Sequence, residues 1–290
     1  MIVSASRRTD IPAFYAAWFA ARLRDGEVLV RQPYRPRSVI RVDLSADAVD
    51  GVVLWTKNAT PFLPVLPALA PRPFYFQFTL NPYGPPLEPG LPELAARIDT
   101  FRELSGRIGR HRVIWRYDPV VLSERTPPGY HLEQFDRLSR ELCAYTDKCV
   151  MSFLDTYARN RRALIQHRLR GATADEMHEV ASGFAAIARG RGLIVESCCE
   201  ALLSPGSGVL PGRCIDAALL SRIAGKPLAV PRDTGQRPGC GCARSVDIGA
   251  YSTCGHGCVY CYANGSAERV RRRRAAHDPE SPLLTGNIGR

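Results

Sequence analysis

Short apolar runs alternate with longer stretches of helical periodicity along most of the chain, and this alternation constrains the fold more than any other feature. Six runs end in charged or amide residues, and they lie at residues 1–6, 51–55, 74–78, 112–115, 149–153 and 193–195. Strands buried on both faces have continuous apolar sequences, and helices between them are typical of parallel β-α-β units. We therefore predict six such units, with a hairpin or irregular strands at residues 28–30 and 39–42.

A parallel barrel and an open doubly wound sheet are the two architectures that such units build. Both place their functional residues at the carboxyl ends of the strands. An open nucleotide-binding sheet carries a glycine-rich phosphate loop after its first strand, whereas the first run here is followed by Arg7-Arg8-Thr9-Asp10. We therefore predict an α/β fold with a parallel β/α barrel of the TIM type, full or partial, over residues 1–197.

The composition of the chain changes near Glu200. Residues 204–212 are rich in glycine, serine and proline, and residues 231–245 add arginine and paired cysteines. Such a composition favours loops over packed helices. We therefore predict that residues 198–290 form a cysteine-rich iron–sulfur module packed on the barrel mouth.

Ten cysteines occur in the chain, and eight of them lie in its last third. No run reaches the roughly 18 apolar residues that a membrane helix needs, and the amino terminus has no signal-peptide pattern. We therefore expect a cytoplasmic protein with no membrane partner. Disulfides rarely persist in a reducing compartment, so clustered cysteines there indicate metal binding or catalysis.

Three of these residues, Cys254, Cys258 and Cys261, have the spacing Cys-x3-Cys-x2-Cys. Three thiolates from one short loop can occupy three iron corners of a four-iron cluster, because thiolates are the soft ligands that such clusters take. The fourth iron then stays open. A zinc site is the alternative, but zinc normally takes four ligands, and His256 is awkwardly placed inside the loop to be the fourth.

A second group consists of Cys199, Cys214, Cys240 and Cys242. Four thiolates are enough to ligate every iron of an auxiliary cluster. Cys198 is a weaker candidate than its neighbour, because consecutive residues of an extended chain point to opposite sides. A structural zinc ion and unligated buried thiols are the alternatives for this group.

The spacing of the three late cysteines resembles that of the radical S-adenosylmethionine (SAM) enzymes. The resemblance implies an oxygen-sensitive [4Fe-4S] cluster whose open iron binds SAM, an electron donor such as flavodoxin or ferredoxin, and radical chemistry on a substrate. It also implies that Tyr260, the aromatic residue before the third cysteine, lies against the adenine. In those enzymes the motif follows the first barrel strand, whereas here it follows every predicted strand.

The chain as a whole resembles a bacterial family known as domain of unknown function 1848 (DUF1848). The matching stretches are residues 4–12, 54–58, 76–81, 115–119, 152–155, 240–242, 247–249 and 254–264. The resemblance implies polar motifs at the strand ends and a cysteine-rich tail, and it does not imply a particular reaction.

Polar residues at the predicted strand ends are the candidates for handling SAM and substrate. Cations can neutralise carboxylates, including that of methionine, while carboxylates and amides can bond hydroxyl and amino groups. The predicted catalytic residues are Arg8, Asp10, Lys57, Arg116, Asp118 and Asp155, and the predicted cofactor-binding residues are Arg7, Asn58, Gln77, Thr79, Asn81, Glu196 and Tyr260. Pairs such as Arg116 with Asp118, or Arg7 with Asp10, can also serve stability alone.

The net charge of +11 is carried largely by arginines, four of which are consecutive at residues 271–274. Clustered guanidinium groups can hold phosphate, but no nucleic-acid-binding module accompanies them. We therefore predict a radical SAM-type iron–sulfur enzyme that acts on an unidentified substrate. The alternatives are a zinc-binding protein that contacts nucleic acid and an iron–sulfur electron-transfer protein that does not use SAM.

Overall fold

The fold is described from a computed structural model, which describes residues 1–33, 35–200, 206–237 and 239–286. Its main element is a parallel sheet of eight strands. In chain order these strands are β1 (Ile2–Ala5), β4 (Gly51–Thr56), β5 (Phe74–Thr79), β6 (Val113–Val120), β7 (Lys148–Phe153), β8 (Ile194–Ser197), β9 (Leu210–Pro211) and β10 (Ser245–Asp247). The strands β2 (Glu27–Gln32) and β3 (Arg35–Asp43) form a separate antiparallel pair.

The strands of the sheet lie in the order β10-β1-β4-β5-β6-β7-β8-β9. The prediction of a parallel α/β fold is confirmed, because all six predicted runs are strands and each pairs in parallel with its neighbours. The hairpin at residues 28–30 and 39–42 is also confirmed. The two strands that sequence patterns missed, β9 and β10, come from the part of the chain that we assigned to the cysteine-rich module.

Eight α-helices in the described residues accompany the strands: α1 (Ile11–Phe14), α2 (Ala16–Asp25), α3 (Leu94–Ile108), α4 (Pro128–Leu142), α5 (Arg161–Gln166), α6 (Ala174–Arg189), α7 (Ala217–Ala224) and α8 (Ala267–Ala275). Their starts follow from local chemistry. Thr173 and Glu176 form a capping box on α6, and the side chain of Asp216 caps α7. The segment Thr60–Leu69 is a 3-10 helix, because Pro64 and Pro67 inside it cannot donate α-helical hydrogen bonds. No helix in the described ranges is long and apolar enough to cross a membrane.

Two apolar clusters cover the two faces of the sheet, as alternation of side chains along a strand requires. One face packs against the helices, and Phe135 of α4 stacks there between Trp115 and Phe184, with ring centroids 4.9 and 3.9 Å away. The other face carries a smaller cluster formed by Ile2, Val53, Tyr75, Ile114 and Val150 with Cys214, Ile215, Leu219 and Leu220. Five neighbouring strands therefore share one apolar cluster with the segment 214–220 and with Cys240, Cys242 and Ala243.

One histidine of α4 lies fully inside the protein. His131 bonds the hydroxyl of Tyr117 through Nδ1 at 2.9 Å and the carbonyl oxygen of Val121 through Nε2 at 3.0 Å. Burial lowers the pKa of His131 to about 4, although its bonds to the backbone act in the opposite direction. The imidazole is therefore neutral in the folded protein near neutral pH.

Candidate functional site

The cysteine loop, which we define as residues 254–261, lies against the carboxyl ends of the first strands of the sheet. The Nε2 atom of His256 lies 2.7 Å from a carboxylate oxygen of Asp10, which follows β1. The segment after β5 also holds the loop, because Gly90 donates to the carbonyl oxygen of His256 at 2.9 Å and Val259 donates to that of Leu87 at 3.0 Å. The late cysteines therefore reach the edge where a parallel sheet builds its sites.

Two glycines allow this close packing. A Cβ atom at Gly90 would lie 2.6 Å from the carbonyl oxygen of His256 and 2.8 Å from that of Gly255, so the two backbones meet only because that atom is absent. Inside the loop, Gly257 has a φ of +67°, a conformation that side chains strongly disfavour. Glycine is thus required both in the loop and in the segment beneath it.

The three thiols of the loop lie within electrostatic range of one another. Burial raises the pKa of Cys254 and Cys261, and it raises that of Cys258 to about 12. The charge of Lys57 opposes the rise at Cys258, and the same cation with Arg159 opposes it at Cys261. Cations therefore act on two of the three thiols that binding of a metal must deprotonate.

Below the loop lies a buried charge cluster, which we define as Lys57, Glu88, Arg97 and Tyr260. The side chain of Glu88 is completely inaccessible to solvent, and its carboxylate lies 2.8 Å from the Nζ atom of Lys57 and 3.6 Å from a guanidinium nitrogen of Arg97. Burial acts to lower the pKa of Lys57, but the interactions with Glu88 and the charge of Cys258 together outweigh it, and the pKa is raised. Sequence analysis missed Glu88, whose one signal is that it is the sole charge in the proline-rich stretch 82–92.

Tyr260 extends from the cysteine loop into this charge cluster. Its hydroxyl donates a hydrogen bond to Glu88 and accepts one from Lys57 at 3.0 Å, and its ring lies edge-on to Tyr83 with the centroids 6.0 Å apart. The side chain is buried and anchors the loop from below. Its stacking on an adenine ring stays a prediction.

A second polar group surrounds Arg116 on β6. The guanidinium donates to Asp118 at 2.6 Å, to the amide oxygen of Gln77 at 3.3 Å and to the sulfur of Cys214 at 3.0 Å. Ser152 donates to the other carboxylate oxygen of Asp118. Asp118 therefore holds Arg116 in place, as expected for a pair that contributes to stability.

Asn81 connects the two polar groups. Its side chain donates to the carbonyl oxygen of Asp118 at 2.9 Å and accepts from the amide of the same residue at 3.0 Å. The same amide group lies 3.3 Å from the hydroxyl of Tyr260. The surroundings of Arg116 and the anchor of the cysteine loop therefore share one rigid side chain.

The second group of cysteines lies next to Arg116. The sulfur of Cys198 lies 3.1 Å from that of Cys214, and the Ile215 amide donates to the sulfur of Cys242 at 3.4 Å. Thiol hydrogen bonds from Cys198 and Cys242, together with Arg116, lower the pKa of Cys214 well below its usual range despite burial. Cys214 is thus a thiol of this group whose lowered pKa favours the thiolate form.

The remaining two members of this group are Cys199 and Cys240, which lie within electrostatic range of each other. Cys199 has a φ of +62°, so the backbone is not extended there. The alternation that favoured Cys199 over Cys198 does not apply to such a backbone, and the structure brings Cys198 closest to Cys214. No group of three or more histidine, cysteine, aspartate or glutamate side chains in the described ranges has an arrangement that could hold a metal ion.

Arg7 and Arg8 are held by a carboxylate that the predicted pairing did not include. Arg7 pairs with Asp247 of β10 at 4.0 Å and Arg8 pairs with it at 3.8 Å, so the pairing of Arg7 with Asp10 is wrong. Asp10 instead caps α1 through Ala13, accepts from the Lys57 amide and binds His256. Asp10 therefore links the start of α1, the residue after β4 and the cysteine loop.

Other predicted residues have mainly local contacts. Asn58 accepts from Thr60 at the start of the 3-10 helix, and Thr79 is buried at the end of β5. Asp155 pairs with Arg237, and nearly half of each side chain is exposed. Glu196 is held at 2.9 Å by Lys148, the first residue of β7. It is thus neutralised by a lysine that the cysteine loop does not contact.

Comparisons with known proteins identify the family of the chain. The sequence model described as domain of unknown function (DUF1848) matches residues 2–263, which includes the cysteine loop and every strand of the sheet. No curated protein and no solved structure matches the chain. Since the match covers far more than half of its length, the chain belongs to the DUF1848 family.

Proposed function

We propose that the protein is an iron–sulfur enzyme of the radical SAM type, in which Cys254, Cys258 and Cys261 hold a [4Fe-4S] cluster that binds SAM. The observation that carries the proposal is the strand that precedes the cysteine loop. This strand, β10, pairs in parallel with β1 at residues 2–4 and 245–247. The motif thus follows a strand next to the first one, close to its place in radical SAM enzymes despite its late position in the chain.

The donor set of the loop fits such a cluster. Three thiols come from one short segment, and the charges of Cys258 and Cys261 act on Cys254. Lys57 and Arg159 partly offset the burial that raises the pKa of Cys261. Thiolates are the ligands that iron–sulfur clusters take. A four-iron cubane spreads its ligands further apart than a single ion does, so thiols that do not converge on one point are compatible with it. When bound and reduced, the cluster supplies the electron that cleaves SAM.

The side chains beneath the loop have two proposed roles, which are to position the loop and to recognise SAM or substrate. Asp10 holds His256, Asn81 and Lys57 hold the hydroxyl of Tyr260, and we assign these contacts to positioning of the loop. Arg116 donates to the sulfur of Cys214, and the charge of Asp118 affects both Cys198 and Tyr262. We assign Asp118, Arg116 and the more exposed Asp155 to recognition of SAM or substrate.

We further infer that the sheet curves into a partial barrel of the TIM type, with the cysteine loop at its mouth. One face of five neighbouring strands shares an apolar cluster with residues 214–220, Cys240, Cys242 and Ala243, as expected if the sheet wraps around this part of the chain. A Cβ atom at Gly51, at the amino end of β4, would lie 2.6 Å from Leu220 of α7. Helix α7 therefore covers the end opposite the cysteine loop.

A second metal centre is the other part of the proposal. Its predicted ligands are Cys199, Cys214, Cys240 and Cys242, and the sulfur contact with Cys214 adds Cys198 as a fifth candidate. Arg116 donates to the Cys214 sulfur, and hydrogen bonds of this kind tune the potential of an iron–sulfur centre. The centre would serve electron transfer or substrate anchoring.

Metal analysis of protein purified without oxygen tests the cluster. We expect iron and sulfide with a brown chromophore, and we expect Cys258→Ala and Cys214→Ala each to remove part of the iron. Cys143→Ala is the matched control, because that thiol lies at the end of α4 and contacts Arg140. Stoichiometric zinc without a chromophore would contradict the cluster, and loss of all iron from either variant would contradict two centres.

Product analysis tests the SAM chemistry separately. Incubation of the iron-loaded protein with dithionite and SAM is expected to release 5′-deoxyadenosine, and Cys258→Ala is expected to release none. Absence of the product from fully loaded wild-type protein would exclude the SAM reaction. An electron-transfer role would then be favoured.

A further inference from the structure

A basic cavity of about 570 Å³ opens beside the cysteine loop. Its walls come mainly from β2 and the residue that follows it, from residues 248–252, from α8 and from residues 283–286. Ser252, two positions before Cys254, belongs to the wall. The volume lies in the range of small-molecule sites, roughly 300–1,000 Å³.

Guanidinium groups dominate the charge of this cavity. The arginines that line it are Arg8, Arg31, Arg159, Arg269, Arg272 and Arg273, and none of the described lining residues is an aspartate or glutamate. They come from four separate segments of the chain, so the fold brings together like charges that are far apart in sequence. Arg8 is paired with Asp247, but the charges of Arg159, Arg269 and Arg272 all act on Arg273. An anion bound among these four arginines would offset their mutual repulsion.

Tyr251 organises part of this group. The guanidinium carbon of Arg159 lies 4.9 Å from the centroid of the Tyr251 ring, and that of Arg8 lies 5.5 Å from it. Arg273 donates to the carbonyl oxygen of the same tyrosine. Burial lowers the pKa of Arg273, and the charges of Arg269, Arg272 and Arg159 lower it further. The arginines are therefore held in place as well as close together.

The floor of the cavity is apolar. It contains Leu29, Val30, Ile248, Leu283 and Leu284, of which all but Leu29 are buried. An inorganic anion alone would leave this floor in contact with water. A ligand with a phosphate at one end and an apolar or aromatic body at the other would cover both parts.

We propose that this cavity binds an organic phosphate of the size of a nucleotide. Arg159, Arg269, Arg272 and Arg273 hold the phosphate, and the apolar floor takes the organic part. Guanidinium groups pair with phosphate oxygens in bidentate fashion, which suits four forks around one anion. The placement of this ligand as the substrate of the cysteine loop rests on the proposed function, whereas its binding does not.

Titration calorimetry on the full chain tests binding with named probes. We expect adenosine triphosphate to bind, inorganic pyrophosphate to bind more weakly, and adenosine to bind least. Added salt is expected to weaken the phosphate-dependent part. Adenosine binding as tightly as the triphosphate would overturn the phosphate assignment. Binding of a single-stranded oligonucleotide without binding of the triphosphate would overturn the small-ligand assignment in favour of a nucleic-acid interface.

Helix α8 offers a matched pair of variants. Arg272→Gln, which removes a cavity arginine, is expected to weaken triphosphate binding about tenfold, as expected for one charged hydrogen bond. Arg271→Gln removes the same charge from the neighbouring position outside the cavity, and it is expected to change affinity less than about twofold. Equal losses in the two variants would overturn the site, because they would indicate a general charge effect.

A variant without the cluster of the cysteine loop separates this inference from the proposed function. Cys258→Ala is expected to lose the iron of that cluster but to keep its affinity for the triphosphate. If wild-type protein contains no iron and still binds the triphosphate with the expected response to Arg272→Gln, the enzyme assignment fails and the cavity stands. If the iron is present and no phosphate probe binds, the phosphate-binding proposal is refuted and the iron–sulfur proposal stands.

Discussion

Replacement of Glu88 by glutamine tests whether the buried charge cluster holds the cysteine loop in place. The carboxylate is inaccessible to solvent, and it lies 2.8 Å from Lys57 and 3.6 Å from Arg97. Glutamine keeps the shape of the side chain and an oxygen for Tyr260, but it removes the charge that compensates the two cations. Breaking a buried ion pair by removing one partner costs about 3–5 kcal/mol.

We therefore expect Glu88→Gln to lower the free energy of unfolding by about 3–5 kcal/mol, measured by urea denaturation of anaerobically purified protein. Glu93→Gln is the matched control, because Glu93 is exposed a few residues later at the start of α3. A surface change of this kind alters stability by at most about 0.5 kcal/mol. A loss of less than about 1 kcal/mol in Glu88→Gln would refute the uncompensated-charge argument.

The double variant Lys57→Met/Glu88→Gln identifies the cause of the loss. Lys57 is one of the two cations that Glu88 compensates, so its removal is expected to restore part of the stability. The summed losses of the single variants should exceed the loss in the double variant, as for residues in direct contact. Additive losses would indicate that Glu88 acts through packing instead of charge.

Three further perturbations test other parts of the structure. His131→Gln is expected to flatten the pH dependence of stability. The pKa of His131 is about 4 in the folded protein and roughly 6.5 in the unfolded chain. The wild-type protein should therefore lose about 3 kcal/mol of folding free energy as the pH falls from about 6.5 to about 4, and none above about pH 6.5. Gly90→Ala is expected to lower the melting temperature and expose the loop thiols to alkylation, because the new Cβ would lie 2.6 Å from the His256 carbonyl oxygen. Gly84→Ala is the control and should do neither, because the nearest atom to its new Cβ is 3.7 Å away. Asp10→Ala leaves His256 without its carboxylate and is expected to cost roughly 1–3 kcal/mol and speed the same alkylation; unchanged alkylation would show that Asp10 does not hold the loop.

Strand positions were predictable because burial on both faces leaves a continuous apolar run in the sequence. The segment Gly51–Thr56, for example, is a strand that ends beside the predicted Lys57. The strands β9 and β10 contain only two and three residues, too few for any periodicity. They were missed because neighbouring strands, not local propensity, determine their conformation.

Parts of the candidate site were predictable for the same reason, and parts were not. Polar residues at strand ends meet because parallel strands end at one edge, which places Asp10, Lys57 and Asn81 around the loop. The partners of these residues follow from three-dimensional contacts: Glu88 lies in an irregular segment, and Asp247 belongs to a strand of three residues. The choice between Cys198 and Cys199 depended on backbone dihedral angles. Glycine is the residue that signals a positive φ in a sequence, so the φ of +62° at Cys199 could not be predicted.

The late position of the cysteine loop has a consequence for how the site assembles. Ser4 of β1 donates to Asp247 of β10 across 243 residues, and Tyr15 donates to the carbonyl oxygen of Thr253 across 238. Contacts of such long range form only after a large loss of chain entropy. We therefore expect the cysteine loop to acquire its position late in folding, after β1 and β10 have paired. The unfolded chain does not hold the three thiols together, so a metal site there forms only on folding. A bound metal would therefore stabilise the folded state, including the pairing of β1 with β10.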